Sequence, residues 1–401
     1  MNANKSISVI GLGYIGLPTA ALLASCGYKV YGMDVSEAVV NTINQGEIHI
    51  VEPDLDHYVK SAVESGNLKA FTQIHEADIY MICVPTPFHK NSELPTPNIN
   101  FIKDAIKIIL PCIKNGDMII LESTSPVGTS DMINEQLCKE GLDHLEVSIA
   151  YCPERVLPGN IMKELVYNAR VIGGINDSST KAAANFYKTF VIGDILQTDA
   201  RTAEMCKLTE NSFRDVNIAF ANELSIICDK NKVDVWELIR LANQHPRVEI
   251  LQPGTGVGGH CIAVDPWFIA SQDPDNSNII KMAREVNDSK PRWVVDKIMN
   301  IAELGDTKKI ACLGLAFKPN IDDLRESPSV EVVNSLIKKG FEVSCVEPNI
   351  SQHNHFNLID LDQALGQFDV IAILVKHREF VDKDILRILT NKNALDFCGI
   401  L

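Results

Sequence analysis

The stretch from Ile7 to Asp34 admits few folds. An apolar run, Ile7 to Ile10, leads into Gly11, Gly13 and Gly16; an Ala/Leu-rich segment follows, and Tyr28 to Asp34 closes the unit. By periodicity this is strand, glycine turn, helix and strand, a βαβ unit. Each glycine has a task in such a unit: the tight turn, the close approach of backbone to a pyrophosphate, and the contact of helix with strand. Asp34 falls where a carboxylate receives the hydroxyls of an adenosine ribose, and a carboxylate there repels a 2'-phosphate. The pattern therefore predicts a site for NAD rather than NADP. A bare glycine motif is weak evidence, and the acid in register is what makes this one specific.

Short apolar runs recur at Asp78 to Val84, Met118 to Leu121, Val147 to Ala150 and Arg170 to Gly173, with helical stretches such as Ile99 to Leu110 between them. That alternation predicts an α/β protein with a doubly wound parallel sheet. From Arg201 to about Asn231 there is neither proline nor glycine, which suits one long helix. A Gly/Pro-rich loop spans Gln244 to Pro266, and a second helix from Asn278 to Leu304 should kink or break near Pro291. Lys309 to Leu315, Glu342 to Glu347, Asp369 to Val375 and Asn393 to Phe397 are further strand candidates. At 401 residues the chain exceeds one core. The expected architecture is two Rossmann-like doubly wound parallel-sheet domains joined by a long central helix and a helical dimerisation region. The boundaries are an NAD-binding domain at 1–198, a helical region at 199–304 and a second α/β domain at 305–401.

A net charge of −15 excludes a general affinity for nucleic-acid phosphates, so an anionic ligand must meet a local cluster of cations. No stretch is apolar for long enough to span a bilayer, and no charged-then-apolar leader precedes Ser6, so a cytoplasmic protein without membrane contact is expected. Of eleven cysteines, Cys26, Cys83, Cys112, Cys312 and Cys345 lie singly in apolar segments and are expected to be buried. None forms a CxxC pair, so no metal site is expected.

Cys261 differs from the rest. It follows Pro253-Gly254-Thr255-Gly256-Val257-Gly258-Gly259-His260, a loop whose glycines let backbone amides and a thiol crowd a ligand, and a poor place to bury a cysteine for packing. Lys207, Asn211 and Arg214 fall at i, i+4 and i+7 of the long helix and share a face. An amide between two cations supplies donors for an oxyanion and a phosphate or sugar oxygen; a solvated face is the bland alternative. Glu154 and Arg155 follow a strand end, where a surface ion pair would also account for them. Thr86 and Thr124 follow strand ends too, where hydroxyls meet ligands or cap helices.

Taken together, the cysteine loop, the Lys-x-x-x-Asn helix, Pro153-Glu154-Arg155, Phe317-Lys318 and Arg325-Glu326-Ser327-Pro328 resemble the UDP-glucose/GDP-mannose dehydrogenase family over essentially the whole chain. The runs GEIHIVEPDL, ESTSPVGT, AYCPERVLPG, HPRVEILQPG and FKPNIDDLRESP narrow the resemblance to members acting on UDP-N-acetyl-D-mannosamine. The resemblance implies a homodimer whose C-terminal domain binds UDP. It implies that Tyr14, Ile15, Asp34, Thr86, Thr124 and Arg325 contact NAD. Arg155, Val156, Lys207, Asn211, Arg214, His245, Arg247 and Gly258 would meet the sugar nucleotide, with Phe317 and Lys318 at its uridine diphosphate end. Arg247 would come from the partner subunit. Thr255 departs from the family, where a bulkier residue or proline is expected.

The implied chemistry is a four-electron oxidation of the C6 alcohol to a carboxylate, consuming two NAD, with Cys261 carrying a thiohemiacetal and then a thioester. Lys207 and Asn211 would stabilise the oxyanion, and Asp265 or Glu154, helped by Thr124, would activate water. UDP-glucose, UDP-GlcNAc and GDP-mannose share this chemistry and stay open as substrates. The resemblance places the product in a surface polysaccharide such as enterobacterial common antigen. A two-electron hydroxyacid dehydrogenase would need the lysine but no thiol, and a non-catalytic sugar-nucleotide sensor would need neither.

Overall fold

The computed structural model describes residues 5–89, 94–157, 159–259 and 261–401. It divides into two compact units, Met1–Thr209 and Glu210–Leu401.

The first unit is built on an eight-stranded sheet in the order Ile195–Asp199, Arg170–Gly174, Ser148–Tyr151, Met118–Leu121, Ile79–Ile82, Ser6–Ile10, Lys29–Met33, Leu68–Phe71. Ile79–Ile82 and Met118–Leu121 are buried at every position, as strands covered by helices on both faces must be. One apolar cluster joins Ile7, Val9 and Leu17 on one face, and a second joins Ile10, Tyr80 and Ile106 on the other. The sheet departs from the expected parallel pattern at one junction, because Arg170–Gly174 runs antiparallel to Ser148–Tyr151. Between those strands, among the described residues, only Ile161–Tyr167 is helical. Leu68–Phe71 and the edge strand Ile195–Asp199 were not expected; their partly exposed, polar-interrupted patterns carry little strand signal.

The long helix runs Ala200–Asn231, one residue from the expected start, and the division between the units falls inside it. In the second unit five strands lie parallel in the order Asn357–Leu358, Glu342–Val346, Lys309–Leu313, Val370–Ile373, Leu395–Asp396. Helix Asn278–Leu304 has the expected bounds and passes through Pro291 unbroken. Buried side chains bind it to the long helix: Arg284 pairs with Asp215 at 2.6 Å, and Asn287 donates to Asp215 at 2.8 Å and accepts from Asn222 at 2.9 Å. Deleting one partner of such a pair costs about 3–5 kcal/mol, since the other charge is stranded in the core.

Lys290 on the same helix is 2% exposed, donates to Ser225 and lies 4.2 Å from the Trp293 ring centroid. Burial pulls its amine down from 10.5 to about 7. The unfolded chain therefore binds a proton that the folded one lacks between those values, and stability rises with pH across that window. Lys290→Met is expected to raise the melting temperature at pH 7 and to lose that advantage by pH 10, as thermal unfolding at both pH values would show.

The expected cysteine burial holds for Cys312 and Cys345, but Cys26 is exposed and Cys83 and Cys112 are half-buried. Cys26 caps a helix end at the surface, where an apolar sequence context does not guarantee burial.

Candidate active site

In the first unit the glycine turn has the form the fingerprint requires. Gly11 sits at φ +89°, and a Cβ there would lie 2.7 Å from the Cys83 carbonyl oxygen. A Cβ on Gly16 would fall 1.8 Å from the Gly11 carbonyl oxygen, so helix and turn touch through backbone. Gly13 differs, since a Cβ there meets nothing within 4 Å and the space above it is open for a ligand. The following helix, Gly16–Ser25, has neither a side-chain cap nor an acid in its first turn, which leaves its N-terminal amides and positive dipole end to an anion. Asp34 accepts from Leu12 N at 3.0 Å and Ser36 N at 2.9 Å. These bonds fix the carboxylate beside the turn and leave lone pairs for ribose hydroxyls. Tyr14 is exposed and Ile15 half-buried at the helix entrance. These residues fit NAD.

Thr86 and Thr124 lie in coil beyond the strands Ile79–Ile82 and Met118–Leu121, both half-buried. The capping role is excluded for both, because the next helices begin behind Ile99 and Gly128.

Glu154 does not form with Arg155 the surface pair that stood as the alternative reading of these two residues. Its carboxylate is 7% exposed and bonds Arg170, itself 1% exposed, at 2.6 Å, while its other oxygen accepts from Arg155 N at 2.6 Å. The Arg155 guanidinium instead donates to Ala169 O at 3.2 Å. Val156 is half-buried in the same segment. Lys207, half-buried, donates to the Glu154 backbone carbonyl at 2.7 Å. Sequence reasoning missed Arg170, Glu122 and Tyr187, which surround this loop. The available signals were a cation opening an otherwise apolar strand and an acid directly behind Met118–Leu121.

In the second unit Asn211 is buried and donates through Nδ2 to Asp265 at 2.5 Å. Asp265 and Pro266 were expected in the glycine-rich loop, yet they open helix Asp265–Gln272: proline is favoured in a first turn, and Asp265 N reaches Cys261 O at 2.9 Å. Cys261 is exposed one turn ahead of Asp265, in a bend rather than a regular element. Its loop is pressed against later segments. A Cβ on Gly258 would lie 2.5 Å from Glu326 O and 2.9 Å from the Phe317 Cβ, and one on Gly259 would lie 2.8 Å from the Phe317 ring. Gly259 N also donates to Arg325 O at 3.3 Å. The glycines are thus required by close approach, and the structure draws Gly258, Phe317 and Arg325 together. Thr255, the departure from the family pattern, is buried with its hydroxyl 3.4 Å from that of Ser329, which ties down the loop by a polar contact.

Arg325 itself is exposed and bonds Asp323 through both Nε and a terminal nitrogen at 2.6–3.0 Å, beside a cavity of about 660 Å³. Lys318 is half-buried. Arg214, His245 and Arg247 are exposed, and the one bond among them joins Arg247 N to His245 Nδ1 at 3.3 Å.

Residues 5–191 match the NAD binding domain, 201–289 the central domain and 311–401 the UDP binding domain of one family. The chain belongs to the UDP-glucose/GDP-mannose dehydrogenase family. It is accordingly an NAD-dependent dehydrogenase of nucleotide sugars. A UDP-N-acetyl-D-mannosamine dehydrogenase of Campylobacter jejuni is 53% identical over 399 residues, 95% of this chain and 98% of its own. An NDP-N-acetyl-D-galactosaminuronic acid dehydrogenase of Ralstonia nicotianae is 50% identical over 410 residues, 99% of this chain and 96% of its own. Among solved structures, a UDP-D-ManNAc dehydrogenase from Pyrococcus horikoshii superposes with a TM-score of 0.91 at 37% identity, over 99% of this chain and 96% of that one. No helix among the described residues is long and apolar enough to cross a membrane.

Proposed function

We propose that this dehydrogenase oxidises C6 of UDP-N-acetyl-D-mannosamine to the carboxylate in two NAD-linked steps through a thioester on Cys261. The exposed thiol at the end of a glycine loop, one turn from the Asn211–Asp265 pair, carries this reading. Bound NAD supplies the hydride acceptor in each step. Lys207 takes the alcohol proton as the first hydride leaves. The Cys261 thiolate then adds to the aldehyde carbon, and Asn211 and Lys207 stabilise the oxyanion. Loss of the second hydride leaves a thioester, and water released against Asp265 frees the acid and the thiol. An aldehyde held covalently does not escape between the two oxidations.

Local cations, Arg155, Arg214, Arg247 and Lys318, would answer the UDP pyrophosphate in a chain of charge −15. The three regions 1–198, 199–304 and 305–401 would bind NAD, pair subunits and bind UDP. Pairing is supported by Phe213, Phe220 and Ile227, exposed apolar residues seven apart on the long helix, which fit a second copy of that helix. Phe220→Asp is expected to shift the protein from dimer to monomer in analytical ultracentrifugation. Eleven cysteines, none of them in a disulfide, suit a reducing, cytoplasmic compartment.

The sugar assignment rests on relatives, and a 50% identical relative is named for a galactosaminuronic product. Assay of UDP-ManNAc, UDP-GalNAc, UDP-GlcNAc, UDP-glucose and GDP-mannose tests both points. Two NADH per UDP-ManNAc and the highest kcat/KM on that sugar are expected; one NADH per sugar removes the thioester, and preference for another sugar removes the substrate.

A further inference from the structure

We propose that Glu122 is a positioning residue for this oxidation: its carboxylate links the strand end beneath the glycine turn to the Arg170–Glu154 pair whose backbone holds Lys207. The inference rests on the reaction proposed above and adds to it a residue that touches neither thiol nor lysine.

Glu122 directly follows Met118–Leu121 and is 3% exposed. It accepts from the Tyr187 hydroxyl at 2.6 Å on one oxygen and from the Cys83 thiol at 3.3 Å on the other. Cys83 is the residue against which Gly11 and Gly16 pack, so this carboxylate reaches the floor of the dinucleotide turn through one side chain. On its other side lie Arg170 and Glu154, both of which act on it electrostatically, and Cys152, which shares Tyr187 with it. Arg170 bonds Glu154 at 2.6 Å and Leu165 O at 3.2 Å, fixing the segment whose Glu154 carbonyl receives Lys207 at 2.7 Å. One guanidinium thus serves two buried carboxylates, and the position of the loop depends on how its charge is shared.

Both Glu122 oxygens face donors, an arrangement made for the ionised form. Burial, followed by the charge of Glu154, opposes ionisation and pushes Glu122 up to about 6, with Arg170, Tyr187 and Cys83 pulling the other way. Protonation would remove one acceptor and release Arg170 wholly to Glu154. A filler of the core would have no such effect on turnover.

The test is the pH dependence of kcat and KM for UDP-ManNAc and NAD, from pH 5 to 9, in the full-length wild type, Glu122→Gln and Tyr187→Phe. Glutamine keeps the volume but accepts at one atom only. In the wild type kcat is expected to fall as pH drops through about 6. In Glu122→Gln kcat at pH 8 is expected to be lower by about tenfold with both KM values within about threefold, and the acid limb to be absent. Tyr187→Phe, which removes a single donor, is expected to displace the limb and decides the matter if Glu122→Gln does not fold. Wild-type kcat and an unmoved limb in whichever variants fold would overturn the role of Glu122 alone. A wild type that makes no NADH from any sugar nucleotide would overturn the reaction, and this role with it.

Discussion

Cys261→Ala is expected to lower acid formation from UDP-ManNAc by at least about a thousandfold while NAD binds with an unchanged Kd, as for loss of a nucleophile whose partners remain in place. The thiol stands exposed in a bend, and the residues that shape its surroundings, Gly258, Gly259 and Phe317, are held by backbone and ring contacts that do not involve sulfur. Removing one atom there leaves packing intact, so circular dichroism and the melting temperature should not move. NADH release and uronic acid should be measured together, because the variant still binds both substrates. Acid production at the wild-type rate would remove the covalent step and leave a dehydrogenase that oxidises a hydrated aldehyde.

The sequence made the glycine turn legible because its three glycines answer three separate geometric demands, and each demand reappears in the structure as a close backbone approach or, at Gly13, as open space. Asp34 was legible for the same reason: its distance from the turn is fixed by the length of one helix and one strand. The long helix and its neighbour Asn278–Leu304 were found to within a residue, the first from the loss of strand signal near Arg201 and the lack of proline and glycine up to Asn231, the second from the glycine that follows Leu304. Of the kink or break expected at Pro291, the break does not occur, because burial and side-chain bonds to the long helix hold the chain helical through it. The antiparallel junction at Arg170–Gly174 was invisible because a connection of this length admits either strand direction, and composition does not report which one is taken.

Partners of charged groups were the least legible. Glu154 and Arg155 are adjacent in sequence and admit a surface pair as one reading, yet adjacent residues on an extended segment point apart, and the carboxylate finds Arg170 sixteen residues later. Lys207, Asn211 and Arg214 share a helical face by spacing, but they differ in burial: Asn211 is buried, Lys207 half-buried and Arg214 exposed. Helical periodicity places side chains on a face without saying where along it the neighbouring segments end.

That difference bears on which acid activates water. Glu154 has both oxygens engaged, by Arg170 and by the Arg155 amide, whereas Asp265 holds the side chain of Asn211 and opens the helix directly behind the thiol. Asp265→Asn is therefore expected to release two NADH per active site in a rapid burst and then turn over about 10²–10⁴ times more slowly, with the acyl group retained on Cys261 and visible by intact-protein mass spectrometry. Glu154→Gln should behave otherwise. It takes away the carboxylate bonded to Arg170 and leaves that buried cation with Glu122 as its remaining carboxylate, so its melting temperature should fall and turnover should slow without a burst or an adduct. A burst with Glu154→Gln and none with Asp265→Asn would exchange the two roles and make the buried ion pair part of the hydrolytic step.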